Sequence, residues 1–231
     1  MRARLPLLWL LACTNAPLEE GRGGYGLENI ESAAHLADPL FSQETLPEFR
    51  LELSEESLQS LRDEPYIYVE GVLVYGQERI ADVGIRTKGN KSWQPIDDKP
   101  SLKVKLNWSV PGQRFRGLEE LTFNAMNDDH SMMHERIGYA LYREAGVPSA
   151  RATHAVLVLN EESYGLYTHL ETVDEHLIER WFSDDSGALF ELNDADYSDD
   201  YLAGFELKFA DDESESHLDE NLLGVAEALT I

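Results

Sequence analysis

The sequence has 231 residues, enough for one domain of ordinary size or one and a fraction, and its 42% hydrophobic content is enough for a core. Its 19 Lys and Arg stand against 44 Asp and Glu, a formal charge of −25 that argues against nucleic acid as a partner, because backbone phosphates would be repelled. The single cysteine, Cys13, excludes an intrachain disulfide and any cysteine-built metal site.

The chain opens with the basic Met1-Arg-Ala-Arg, followed by an apolar run from Leu5 to Ala12 that is too short to span a bilayer. Leu10-Leu11-Ala12-Cys13 resembles the bacterial lipobox, in which the cysteine becomes the lipidated first residue. The alternative is a buried free cysteine in a plain signal peptide or helix. The lipoprotein reading predicts a signal peptide over 1–12 and a lipidated Cys13 opening a flexible tether over 13–45. It also places the protein outside the cytoplasm, anchored to a bacterial membrane by lipid. Gly21-Arg-Gly-Gly-Tyr-Gly26 fits the tether.

From Phe49 the pattern becomes structured. Phe49 to Leu53 alternates like a strand, and Ser54 caps a short helix with Ser57 three residues later. Tyr66 to Glu70, Val72 to Tyr75 and Ile80 to Thr87 read as strands, the last delivering the chain into Lys88-Gly89. Ser101 to Leu106 is the clearest strand, with Leu102, Val104 and Leu106 on one face and Ser101, Lys103 and Lys105 on the other. Ser131 to Ala145 has helical spacing, with Asp128 and Asp129 at its start and Gly146 and Pro148 at its end. Val156–Leu159 and Tyr164–Leu170 read as strands joined at Asn160-Glu161-Glu162. A helix follows from Asp174 to Phe182, then a strand pair at Ala188–Leu192 and Phe205–Phe209, and an acidic final helix. This order predicts an α+β fold with a mostly antiparallel sheet and packed helices.

The charge distribution singles out one stretch. Eight of the 19 cations lie between Arg86 and Arg116: Arg86, Lys88, Lys91, Lys99, Lys103, Lys105, Arg114 and Arg116. Gathered cations in an acidic protein point to an anion. Gly89, in Lys88-Gly89-Asn90-Lys91-Ser92, lets backbone approach a phosphate. The turn is not a Walker motif, and an ordinary hairpin turn is the alternative. A lysine on a strand paired with a helix glutamate, here Lys103 with Glu135, holds nucleotide phosphates in kinase-like folds. Lys105 in place of Lys103, an exposed Glu135, and lysines of an edge strand in water all stay open. Tyr164-Gly165-x-Tyr167-x-x-x-Glu171-x-Val-Asp174 runs from strand to helix start, where a purine could rest, or where Asp174 merely caps. His130 and His134 lack the spacing of a zinc motif. Asn193 to Asp200 has the composition of a calcium loop without its glycine and closing glutamate.

These blocks, in this order, resemble the CotH kinase family, named for a spore-coat protein. The matching residues are Leu46-Pro-x-Phe49; Val83-x-Ile-Arg86-x-Lys88-Gly89-Asn90-x-Ser92; Lys99-Pro-Ser-Leu-Lys103-Val-Lys105; Phe115-x-Gly117-Leu118; Leu121-x-Phe-Asn124; Met132-Met-His-Glu135 to Gly146-Val-Pro148; Val158-Leu-Asn160; and Gly165-x-Tyr167-x-x-x-Glu171. The resemblance implies a kinase-like fold over 46–231 that binds ATP with Mg or Mn and phosphorylates serine-containing extracytoplasmic or coat proteins. Carried over, the Lys88–Ser92 turn with Arg86 covers phosphates, Lys103 with Lys105 holds them, Glu135 orients the lysine and Glu171 lies near the adenine. No match for the family's later Asp-rich catalytic blocks is found, so the expectation is the nucleotide-binding part, lacking much of the C-terminal lobe and inactive by itself. The rival expectations are a non-catalytic surface or coat-binding module on the same fold and a calcium-dependent adhesion domain.

Overall fold

The computed structural model describes residues 9–12, 36–184, 186–192 and 205–210. The chain divides into two compact units, residues 30–177 and residues 1–29 with 178–231. Its elements in order are β1 (Trp9–Ala12), β2 (Glu48–Leu53), α1 (Glu55–Asp63), β3 (Val69–Tyr75), β4 (Glu78–Lys88), β5 (Ser101–Lys105), β6 (Glu120–Asn124), α2 (His134–Glu144), β7 (Ala152–Leu159), β8 (Glu162–Leu170), α3 (Glu175–Trp181), β9 (Ala188–Leu192) and β10 (Phe205–Ala210).

Seven strands of the 30–177 unit form a closed barrel in the order β2-β3-β4-β5-β6-β8-β7. All pairs are antiparallel except the one that closes it, where β7 lies parallel to β2 with Phe49 opposite Leu157 and Leu51 opposite Leu159. Closure leaves no free edge. β5 therefore sits between β4 and β6, and its lysines are not those of an edge strand. The fold is α+β with a mostly antiparallel sheet, as the order of elements predicts.

The two-residue period sends Phe49, Leu51, Ile85, Leu102, Val104, Leu121, Phe123 and Tyr167 into the barrel, all essentially without exposure. His169 shares this interior, its ring 4.5 Å from that of Phe41 and 5.2 Å from that of Phe123. Burial lowers its pKa to about 3, so the imidazole stays neutral among the aromatic rings. Ala37, Leu40 and Phe41 belong to the same core. The stretch expected as tether thus already contributes packing before residue 45, because a 3-10 turn at Asp38–Phe41 turns both apolar side chains inward.

Local signals work as expected in most places. The Ser54 hydroxyl accepts from the Ser57 amide at 3.0 Å to start α1. Asn160 and Glu161, both at positive φ, make the two-residue turn between β7 and β8. The helix expected from Ser131 begins only at His134, because Met132 takes a φ of 55° that no α-helix contains. Asp129 closes this entry, accepting from the amides of Ser131 at 3.0 Å and His134 at 2.8 Å.

α2 lies against β7 with its polar side inward. Arg136 donates to the Gln43 side chain at 2.6 Å and to Nδ1 of His154 at 3.1 Å, while Nε2 of His154 donates to the Met132 carbonyl. Arg143 donates to the Ala150 carbonyl. Ile137 and Leu141, one turn apart, are 57% and 66% exposed.

The other unit holds an antiparallel sheet ordered β1-β9-β10. Trp9–Ala12, read as the end of a signal peptide, is the strand paired with Ala188–Glu191. Cys13, the calcium-like loop at Asn193–Asp200 and the acidic final helix lie outside the described residues.

One buried ion pair braces the barrel. The Glu171 carboxylate accepts from Nη2 of Arg151 at 2.6 Å, from its Nε at 3.0 Å and from its backbone amide at 2.7 Å, and Arg151 also pairs with Asp38. Both members are nearly sealed from water, and removing one strands the other's charge. Glu171→Ala is expected to cost about 3–5 kcal/mol of unfolding free energy, read as a lower urea midpoint with an unchanged slope. A loss within a few tenths of a kcal/mol would mean that the pair carries no structural weight.

Candidate functional site

In-register pairing of β4 with β5 decides where the cations go. Arg86 is opposite Lys103, Lys88 opposite Ser101 and Gly84 opposite Lys105. Since Ile85, Thr87, Leu102 and Val104 point inward, Arg86, Lys88, Lys103 and Lys105 share the outer face. On β6, Glu120, Thr122 and Asn124 continue this face, with Lys105 opposite Glu120 and Lys103 opposite Thr122.

Two carboxylates answer the cations. Lys103 forms an ion pair with Glu120, reaching it diagonally across β5 and β6. The other oxygen of Glu120 accepts from the Tyr68 hydroxyl at 3.0 Å. Burial first, then the Glu120 charge, push the Tyr68 phenol up to about 12, so it remains a donor. The Arg86 guanidinium lies 5.1 Å from the centre of the Tyr68 ring. On the other side of the cluster, the Lys88 ammonium donates to Oδ1 of Asn124 at 2.7 Å, and Nδ2 of Asn124 donates to Oε1 of Glu135 at 2.7 Å. Burial, followed by the nearby positive charge of Lys103, lowers the Lys88 pKa from 10.5 to about 8, against the opposing pull of Glu135 and Glu120.

The expected Lys103–Glu135 pair is therefore corrected. Lys103 takes its carboxylate from the adjacent strand, and Glu135 reaches a lysine only through Asn124, and that lysine is Lys88. The carboxylate expected beside adenine, Glu171, has its oxygens turned to Arg151. Lys105 shares the cationic face without an ion-pair partner among the described residues.

The Lys88–Ser92 turn is held from outside. Gly89 has a φ of +116°, a conformation that side-chain-bearing residues rarely adopt. Its carbonyl accepts from the Tyr66 hydroxyl at 3.1 Å, and the Trp93 indole N–H donates to the Thr87 hydroxyl at 3.0 Å. Asn90 is exposed at the tip. The Ser92 carbonyl accepts from Asn127, which also ties down the Lys99 carbonyl at 3.1 Å. Gly84 lets the Trp108 indole lie flat on the strand, since a Cβ there would stand 2.5 Å from Cγ of Trp108.

The remaining cations of the stretch are dispersed. Arg114 pairs with Glu119 and Arg116 with Glu78, Lys99 sits 5.0 Å from the Tyr167 ring centre, and Lys91 is exposed. His134 bonds to Asp129 at 3.1 Å. Among the described residues, no three His, Cys, Asp or Glu side chains gather as a metal site would require, and no helix is long and apolar enough to cross a membrane. Sequence reasoning passed over Glu120, Asn124 and Tyr68. The alternation of Glu120, Thr122 and Asn124 with Leu121 and Phe123 was the available signal.

The arrangement is a half-buried cationic surface whose charges are aimed by carboxylates and an amide, suited to a multiply charged oxyanion. A family model described as CotH kinase protein matches residues 85–228, more than half of the chain and the whole of this cationic surface beyond Tyr68. The inner spore coat protein H of Bacillus subtilis (strain 168) is 30% identical over 161 residues, 67% of this chain and 41% of that protein. An inner spore coat protein H-like protein of the same organism is 30% identical over 74 residues, covering 32% of this chain and 22% of that protein. The chain thus spans well under half the length of these curated relatives. The 85–228 match begins on β4 at the cationic face, and the chain belongs to the CotH kinase protein family.

Proposed function

We propose that the outer face of β4, β5 and β6 binds the phosphates of ATP, and that this chain is the nucleotide-holding part of a kinase-like protein acting on serine-containing proteins outside the cytoplasm. The observation that carries this reading is the in-register placement of Arg86, Lys88 and Lys103 on one face, each steered by a neighbouring side chain. Like charges placed side by side cost free energy in an empty site, and an anion turns that cost into binding.

ATP with Mg or Mn would supply the phosphoryl group. Toward it, Lys103 and Lys88 neutralise charge, Arg86 adds a planar donor, and the braced Gly89 turn sets backbone beside them. The residues present fit the phosphates. For a divalent ion they offer one carboxylate oxygen, Oε2 of Glu135, which is buried and has no hydrogen-bond partner. Phosphoryl transfer belongs to the full-length protein in this proposal. The second reading, a module that docks onto a coat or envelope layer, draws support from the inner spore coat protein H likeness. Lipidation at Cys13 would hold either form at a membrane, and substrate or coat proteins would be its partners.

Millimolar Mg-ATP is expected to raise the melting temperature of the 231-residue chain, adenosine is not, and Lys103→Met is expected to abolish the rise. The absence of any rise would leave the docking reading in possession. Binding should also weaken as pH climbs through about 8, where the Lys88 ammonium loses its proton. Loss of one charge-assisted hydrogen bond of about 1.5–3 kcal/mol corresponds to roughly tenfold or more in affinity. The fold responds in the opposite sense. Between about 8 and 10.5 the unfolded chain holds this proton and the folded chain does not, so the contribution of Lys88 to stability rises with pH. Calorimetric titrations at pH 7 and 9, on the native chain and on Lys88→Arg, separate the two effects.

A further inference from the structure

We propose that Asn124 is the positioning residue of this site, a neutral amide that ties the Lys88 ammonium to the Glu135 carboxylate while leaving that ammonium free to meet an anion. For its function the proposal rests on the phosphate reading above, and for its geometry it stands alone.

Chemistry fixes the direction of both bonds. An ammonium only donates, so the Asn124 atom 2.7 Å from Nζ of Lys88 is the carbonyl oxygen. A carboxylate only accepts, so the atom 2.7 Å from Oε1 of Glu135 is the amide nitrogen. Asn124 is the last residue of β6, on the outer face, and Glu135 is the second residue of α2. One side chain thereby joins the β4–β5–β6 face to the helix.

A direct Lys88–Glu135 ion pair would do something else. It would neutralise the lysine and draw it toward the helix. Through the amide, only one of the three ammonium donors is used, and two remain for ligand oxygens. The groups facing Lys88 are Arg86 on its own strand, Lys103 on β5, Glu120 on β6 and Glu135 on α2. Glu120 is engaged by Lys103 and Tyr68. Glu135 is therefore the carboxylate left to act on Lys88; its charge acts across space, and Asn124 fixes the separation and orientation at which it does so. The unpartnered, buried Oε2 of Glu135 fits this division, since only Oε1 is committed.

The chain has six lysines, few enough to resolve individually by NMR of 13Cε-lysine-labelled protein, with Lys88 assigned through Lys88→Arg. No nucleotide is needed, so the outcome is independent of whether ATP binds. The native Lys88 signal is expected to titrate near 8. Glu135→Gln should lower that midpoint by about half a unit or more. Asn124→Leu, which keeps the branching of the side chain without its hydrogen bonds, should lower it too. In that background Glu135→Gln should lower it further by the through-space charge, but by a different amount than in the native chain, since the two groups are no longer held in place. An unchanged Lys88 midpoint in Asn124→Leu overturns the proposal. So does a raised midpoint, which would mean that Lys88 and Glu135 pair directly without the amide. Should Asn124→Leu fail to melt cooperatively, Asn124→Ala takes its place, and an unshifted Lys88 there sinks the assignment. If these shifts appear but ATP does not bind the native chain, the phosphate reading fails and the positioning role of Asn124 stands.

Discussion

The antiparallel register of β4 and β5 inside a closed barrel is the constraint from which the site follows. The barrel interior is mostly apolar, so Ile85, Leu102 and Val104 point in, and the charged positions between them fall on the outside. That rule sets Arg86 directly opposite Lys103, an arrangement that opposes stability because like charges across a strand pair repel. The molecule does not relieve the repulsion by spacing the cations apart. It surrounds them with Glu120, the Tyr68 ring and the Asn124–Glu135 pair. Five of the six lysines in the chain fall between Lys88 and Lys105, and three of them, Lys88, Lys103 and Lys105, share this one sheet face.

Two kinds of polar contact therefore coexist in the barrel unit, and they differ in exposure and in consequence. The Arg151–Glu171 pair is sealed, satisfied from several sides, and holds the 3-10 turn to the start of β7 through Asp38. The Lys88, Lys103 and Arg86 group is half-buried and keeps donors to spare. The first behaves as masonry, since breaking it leaves a charge with nowhere to go. The second can change partners, which any binding surface must do.

Much of this was legible in the residue pattern, and the failures share a cause. Alternation located β5 and its two faces, Ser54 and Asp129 announced helix entries, and Gly89 marked the turn. These signals are local. What alternation could not supply was the pairing of distant segments. The parallel closure of β2 on β7 joins residues more than a hundred positions apart, and nothing near Phe49 or Leu157 advertises it. The same gap left Glu120 out of account as the partner of Lys103, because the register of β5 against β6 is not written in either strand's own pattern. Glu171 is placed near the adenine by the resemblance alone, and its pairing with Arg151, a full hairpin earlier, is not written in either local pattern. The start of α2 was missed because a positive φ at Met132 follows from how Asp129 folds back, not from the propensity of Met132.

α2 has its faces reversed relative to an ordinary surface helix, with arginines toward the sheet and Ile137 and Leu141 in water. Apolar packing resists sliding because every displacement opens a void, whereas hydrogen bonds to Gln43, His154 and Ala150 can be exchanged for water at a net cost of about 0.5–1.5 kcal/mol each. The helix is thus fastened by a row of latches rather than glued down. Local opening of this one segment needs less free energy than unfolding the barrel, and each such excursion carries Glu135 away from the sheet, so the electrostatic setting of the cationic face is tied to how often a single weakly seated element lifts.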